Sequence, residues 1–322
     1  MQAIVQDRYG SADVLRLEEI DRPRVGPDEV LVRVRAAGVH QGDWHLMTGL
    51  PYVARLGLGL RRPKSRIRGM DLAGTVEAVG KDVTNLRAGD NVFGWCDGTF
   101  AEYVRAPQDH FLPKPPRLTF EEAAAVPISG IAALHGLRDV GKVQAAQKVL
   151  VIGAAGGVGS FAVQIAKAFG AEVTGVCSTA KVELVRSIGA DHVVDYTSED
   201  FTLSSERYDL ILDTAGRRPI SRLRRVLTPT GTLVLVGGEG GDRWLGGFQR
   251  GIWAAMLSPF VPHQLRMLYS IERHEDLATL KELIDAGQVT PLMDRTYPLV
   301  DAANALRHLA QGHAAGKTVI IV

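Results

Sequence analysis

The sequence predicts an α/β protein in two halves, antiparallel β of barrel type first and a doubly wound parallel sheet second. Three observations carry this. VLVRVRA (Val30–Ala36) alternates strictly, with Val30, Val32 and Val34 on one face and Arg33 and Arg35 on the other. Past residue 143, strand-type and helix-type runs alternate. There VLVI, LIL and LVLV are apolar on both faces, as a sheet covered by helices on each side requires. That second half opens on Lys148–Gly170, KVLVIGAAGGVGSFAVQIAKAFG, which reads as strand, glycine turn and helix, the front of a nucleotide-binding βαβ unit.

Four glycines fall between Gly153 and Gly159, more than a short βα loop needs for packing. Gly156 removes the Cβ that would hold the backbone away from a pyrophosphate, and Gly159 lets the new helix pack closely on its strand. The amides and dipole of that helix then face the phosphates. Ala154 stands where the strict motif has its first glycine.

In chain order, Ala3–Gln6, Leu15–Glu19 and Val30–Ala36 read as strands, with a Pro/Gly turn over Asp21–Glu29. Residues 37–70 are less regular. They hold His40, Asp43, His45 and Tyr52, then a basic loop with Arg55, Arg61, Arg62, Lys64, Arg66 and Arg68. No acid occurs between Asp43 and Asp71, so the loop is either a solvated insertion or an attractor of an anionic ligand, the cofactor phosphates included. Residues 71–118 return to β signals. Thr119, with Glu121 and Glu122 behind it, starts a helical stretch to Val140 that Pro127 divides. Strands follow at Glu172–Cys177, His192–Tyr196, Tyr208–Gly216 and Thr232–Gly238, with helices at Lys181–Ile188 and Ile220–Leu227 between them. Segment 239–270 is apolar with Gly, Trp and Met, and reads as a lid or subunit contact, or as a membrane-surface helix. Helix Glu275–Ala286, a strand-to-helix unit from Tyr297 to His308 and the strand Lys317–Val322 complete the chain.

The 322 residues amount to about two domains. The chain is 46% apolar with a net charge of +1, an ordinary globular composition that asks for no nucleic acid. Two cysteines, Cys96 and Cys177, exclude a disulfide framework and fit a reducing cytoplasm. MQAIVQDRYG has no signal-peptide pattern, and no run of 18 apolar residues calls for a membrane span.

The order of pieces resembles the medium-chain dehydrogenase/reductase superfamily, and within it the zinc-free quinone-oxidoreductase branch that includes zeta-crystallin. The resemblance covers nearly the whole chain. It is carried by GVHQGD (Gly38–Asp43), GMDLAGTVEAVGKDV (Gly69–Val83), AAAVPISGIAALHGL (Ala123–Leu137) and GAAGGVG (Gly153–Gly159). It implies a GroES-like β-barrel catalytic domain over residues 1–120, completed by 290–322. A Rossmann domain would occupy 121–289, with the active site in a cleft between them. It further implies a small-molecule substrate and a homodimer. Cofactor contacts would come from Ser129, Ala155, Gly156, Gly157, Val158, Gly237 and Lys317.

Zinc-dependent relatives place a cysteine where this chain has His40, and a G-H-E histidine where it has Met70. A catalytic zinc needs three protein ligands, and a thioether is a poor one. The structural zinc lobe of such relatives needs four cysteines. A local cluster of His40, Asp43 and His45 is the one remaining metal arrangement. Without zinc, the acceptor carbonyl must be polarised by hydrogen bonds. The zinc-free branch usually has asparagine at His40. Histidine there either donates a proton to the reduced oxygen or only contacts the nicotinamide ribose. Tyr52 is a second donor or a packing residue, and Asp43 orients the loop or a histidine.

NAD-preferring sheets end the second strand with an acid for the ribose 2′-OH. Here the position reads Gly175–Lys181, GVCSTAK. Ser178 and Lys181 suit a 2′-phosphate, and Tyr196 matches a position that relatives use for it. The sequence therefore points to NADP(H) and to hydride transfer to a quinone, an enone or another carbonyl. A zinc-type alcohol dehydrogenase and a non-catalytic NADPH sensor are the alternatives.

Overall fold

The computed structural model describes residues 1–237, 242–312 and 314–322. They group into two compact units, one of 1–129, 272–285 and 291–322, the other of 130–271 and 286–290.

The first unit is organised around the strand Glu29–Val39. One of its edges pairs antiparallel with Asp71–Val79, the other with Tyr103–Pro107 and, further along, with Lys317–Ile321. Arg33 and Arg35 are exposed, while Val30, Val32 and Val34 are buried, as the alternation requires. Beyond Arg35 the alternation stops, because Ala36 through Val39 are buried on both faces. The full sheet has seven strands, closing on Met293–Pro298 at one end and Phe111–Pro113 at the other. Its core gathers Leu72, Val76, Phe100, Phe111, Leu306 and Ile320 around the three valines. Each such side chain contributes roughly 1.5–3 kcal/mol by leaving water.

The region after Val39 is more regular than its sequence suggests. Helix Gln41–Thr48 starts where the Asp43 carboxylate accepts the His40 backbone N–H at 3.0 Å, and it stops at Gly49 with φ 63°. Thr119 and Glu122 cap each other, side chain to backbone, at 3.2 and 2.8 Å. Pro127 separates Phe120–Ala124 from Pro127–Leu134, which continues as the wider π-type turn His135–Val140. The unit boundary falls nine residues later than the sequence places it, since helix Phe120–Ala124 packs on Glu29–Val39 and Asp71–Val79. Helix His274–Asp285 also groups with the first unit. There Arg117 donates to the Ile284 carbonyl at 3.0 Å and the His274 ring bonds the Asp109 carbonyl at 2.7 Å.

The second unit is a parallel six-stranded sheet. Its order is His192–Asp195, Glu172–Cys177, Lys148–Ile152, Tyr208–Asp213, Leu227–Leu235, Gln264–Met267. This is the 3-2-1-4-5-6 order of a dinucleotide-binding sheet, reversing direction between the first and fourth strands. The sixth strand and the helix Phe248–Leu257 lie in the segment that the sequence left without strand or helix boundaries. Positions 238–241, the end of one expected strand and the start of that segment, lie outside the described residues. The helix turns Gly251 and Ala254 inward and leaves Phe248, Ile252, Trp253 and Met256 exposed. The return segment is held by Gln164, which donates to the Thr290 carbonyl at 3.0 Å and accepts its N–H at 2.9 Å. No helix among the described residues is long and apolar enough to cross a membrane.

Candidate active site

In the first unit, the end of Glu29–Val39 delivers His40 to the start of a helix, with its side chain 8% exposed and Asp43 wholly buried. His40 Nε2 stands 3.6 Å from Asp43 Oδ2, an electrostatic contact beyond hydrogen-bond length. Nε2 of His40 and Oδ1 of Asp43 have no hydrogen-bond partner among the described residues. Burial pushes the Asp43 carboxyl up, and the nearby His40 pulls it back in part. The His40 ring folds over Gly42, where a Cβ would sit 2.7–2.8 Å from two ring atoms.

His45 bonds the Leu50 carbonyl through Nδ1 at 2.7 Å, so that nitrogen carries the proton. Its pKa is lowered, by burial first, against the pull of that carbonyl. Tyr52 begins a short turn, and the Arg55 guanidinium lies 4.7 Å over its ring and 4.4 Å over that of Tyr9.

A second buried polar group of the first unit joins three distant stretches. Lys317 donates to Asp71 Oδ2 at 3.1 Å and to Ser129 Oγ at 2.9 Å, while Asp71 Oδ1 accepts the Ile128 N–H at 2.7 Å. Lys317, Asp71 and Ser129 are each at most 2% exposed. Gly38 makes the room, since a Cβ there would lie 2.8 Å from Asp71 Oδ2 and 2.4 Å from the Ala124 carbonyl. The sequence signals Ser129 and Lys317 but not Asp71, whose importance depends on a lysine 246 positions away.

In the second unit, the glycine turn leaves Ile152 and enters helix Gly157–Ala168 through Gly156. Gly153 has φ 83°, and a Cβ on Gly159 would fall 2.1 Å from the Gly153 carbonyl oxygen, so both positions demand glycine. At Gly156, among the described residues, the only atom within 4 Å of an added Cβ is the Gly153 oxygen at 3.3 Å, so this backbone is open to close approach. The Gly157, Val158 and Gly159 amides are first-turn donors that a helix cannot satisfy itself. Ala155, beside them, is buried. An open backbone at Gly156 next to unsatisfied amides fits a dinucleotide pyrophosphate. Gly237, with φ 78°, lies two residues past the fifth strand, and among the described residues nothing lies within 4 Å of an added Cβ.

The second strand ends at Cys177, and Ser178 leads into the turn Thr179–Lys181. Tyr196 follows the neighbouring strand, 45% exposed, its N–H on the Cys177 carbonyl. The same strand brings an acid that the linear reading of Gly175–Lys181 misses. Asp195 lies opposite Cys177 and accepts Thr179 Oγ1 at 2.6 Å and Thr197 Oγ1 at 2.7 Å. Those hydroxyls, Thr179 first, hold its carboxyl below the usual range. Burial, with Asp195 adding, pushes the Cys177 thiol up to about 11, while Lys181 and Arg186 oppose the shift. Of these charges Arg186 is paired with Glu183 at 2.5 Å.

Models of two known families match the chain, the alcohol dehydrogenase GroES-like domain over residues 26–116 and the zinc-binding dehydrogenase domain over 188–320. A Mus musculus protein named NAD(P)H oxidoreductase RTN4IP1, mitochondrial, is 32% identical, over 100% of this chain and 89% of its own. The chloroplastic NADPH-dependent alkenal/one oxidoreductase of Arabidopsis thaliana is 30% identical, over 99% of this chain and 79% of its own. The solved quinone oxidoreductase of Coxiella burnetii superposes with a TM-score of 0.87 at 30% identity, covering 100% of this chain and 99% of that one. With the two sheets and the glycine turn already described, these likenesses show that the chain belongs to the medium-chain dehydrogenase/reductase superfamily, in its quinone-oxidoreductase branch, and is an oxidoreductase.

Proposed function

We propose that the protein is a zinc-independent, NADPH-dependent reductase of quinones, enones or other carbonyl acceptors. The observation that carries this reading is the buried His40, whose Nε2 has no hydrogen-bond partner among the described residues and lies 3.6 Å from the Asp43 carboxyl. When bound, NADPH supplies a hydride to the acceptor. His40 would hold at Nε2 the proton that the reduced oxygen must gain, with the Asp43 carboxyl 3.6 Å away to hold the ring in place. Zinc does not fit the residues here. Met70 offers only a thioether, and both oxygens of Asp71 are committed to Ile128 and Lys317.

Gly156, Gly157 and Val158 would hold the pyrophosphate. Ser178, Lys181 and Tyr196 would hold the 2′-phosphate. Ser129 and Lys317 support the cofactor through the buried Asp71 group, and Ala155 and Gly237 line its path. Two free, buried cysteines support a cytoplasmic setting. The exposed apolar face of Phe248–Leu257, beside the edge strand Gln264–Met267, supports a homodimer.

The test follows NADPH absorbance over a panel of quinones, 2-alkenals and aldehydes, with and without a chelator. Turnover that survives chelation and falls at least ~10²-fold in His40→Ala supports the reading. Silence across the panel would turn it into a nucleotide sensor. Equal binding of NADH and NADPH would remove the role given to Ser178 and Lys181.

A further inference from the structure

Between Asp43 and Asp71 the chain carries six basic residues and no acid. Three of the six are engaged. Arg55 donates to the Gly49 carbonyl at 2.9 Å and stacks on Tyr9 and Tyr52. Arg66 pairs with Asp7 at 2.7 Å and Glu18 at 3.3 Å, and Arg68 is buried and donates to the Ser65 carbonyl. The side chains of Arg61, Arg62 and Lys64 make no ion pair or hydrogen bond among the described residues, and all three are exposed.

The backbone that presents them is tied at its base. The Lys64 N–H donates to the Leu58 carbonyl at 2.9 Å, and the Tyr9 hydroxyl to the Gly59 carbonyl at 2.7 Å. Gly59 has φ 114°, and a Cβ on it would meet the Arg62 carbonyl oxygen at 2.2 Å, so the turn is closed tightly. Its tip is Leu60–Arg61–Arg62, with Leu60 67% and the preceding Leu56 74% exposed. Apolar contact and unpaired cations thus stand side by side on a short loop that starts at Tyr52. A standard macromolecular interface takes about 800 Å² per partner, more than so few side chains provide. The size suits a small anionic amphiphile.

We infer that the tip formed by Leu56, Leu60, Arg61, Arg62 and Lys64 recognises an anionic group on the substrate. The acceptor is then an enone or carbonyl on an apolar chain that ends in a carboxylate or phosphate. This rests on the reductase reading above and names its substrate class. The cations attract and orient the anion from solvent, and the leucines cover the chain next to it.

The test compares an ω-carboxy 2-alkenal with its methyl ester in the wild type and in R61A/R62A, with Arg87→Ala, another exposed arginine, as charge control. The expected result is a kcat/KM for the acid that is roughly five- to tenfold lower in R61A/R62A, and less favoured at high salt. The ester and the control variant stay within about twofold. Equal losses on acid and ester, or none on either, would overturn the inference. A weaker NADPH Kd in R61A/R62A would assign the arginines to the cofactor and overturn it as well. Co-sedimentation with phosphatidylglycerol vesicles, without any preference for the soluble acid, would move the tip to a lipid surface and do the same. If neither acceptor is reduced, the reductase reading fails separately. The inference is then decided by dodecanoate binding, present in the wild type and lost in R61A/R62A if it holds, equal in both if it does not.

Discussion

A single hydrogen atom at Gly42 decides where His40 points. The ring lies against that α-carbon so closely that a methyl group would stand 2.7 Å from Cε1. Helix propensity favours Gly42→Ala by roughly 0.5–1 kcal/mol, whereas the contact opposes it. Gly42→Ala is predicted to keep the fold, with an unchanged circular dichroism spectrum, and to lower kcat by ~10-fold or more with little change in NADPH affinity. An unaltered kcat would mean that His40 does not act from this position. His40 was legible in the sequence because it interrupts a family pattern. Asp71 and Asp195 were not. Each gains its role from another strand of its sheet, Asp71 from Lys317 across the intervening Glu29–Val39 and Asp195 from the adjacent Cys177 end of the second strand.

At the scale of elements, the sequence was most readable where local chemistry alone sets a boundary. Thr119 with Glu122 starts a helix, Pro127 divides one, and Gly153–Gly159 turns a strand into a helix. It was least readable where tertiary contact decides. Helix Gln41–Thr48 has a weak apolar pattern and is nucleated by Asp43 reaching back to His40. Strand Gln264–Met267 is four residues long and forms because Leu227–Leu235 offers it an edge. The Lys317 ion pair joins elements in the same way, linking Lys317–Ile321 to Asp71–Val79. Lys317→Met leaves Asp71 as a buried, uncompensated charge. The expected loss is about 3–5 kcal/mol, read as a lower denaturant midpoint with unchanged slope. A loss under 1 kcal/mol would mean that the Ile128 amide alone suffices for Asp71.

At the scale of the whole molecule, the second unit carries an exposed apolar face. Trp253 is 60% and Phe260 85% exposed, beside Gln264–Met267, the edge strand among the described residues. Substituting Trp253→Arg puts a charge in that face without touching the core, since the buried side of the helix is Gly251 and Ala254. Sedimentation velocity should show the wild type as a dimer and the variant as a monomer. A monomeric wild type would leave this face to some other partner.

The sheet of the first unit has a further consequence, for the order in which the chain is made. Its strand Lys317–Ile321 sits between Met293–Pro298 and Glu29–Val39, and Lys317 neutralises an aspartate translated 246 residues earlier. At about 5–20 residues per second, Asp71 waits roughly 12–50 s on the ribosome for its counter-charge. Throughout that time the edge of Glu29–Val39 that will take Lys317–Ile321 lies bare. The second unit's sheet is complete once Met267 has been added. The nascent protein therefore carries a finished nucleotide fold behind an unfinished barrel, and shielding from neighbouring chains is needed at its amino-terminal end.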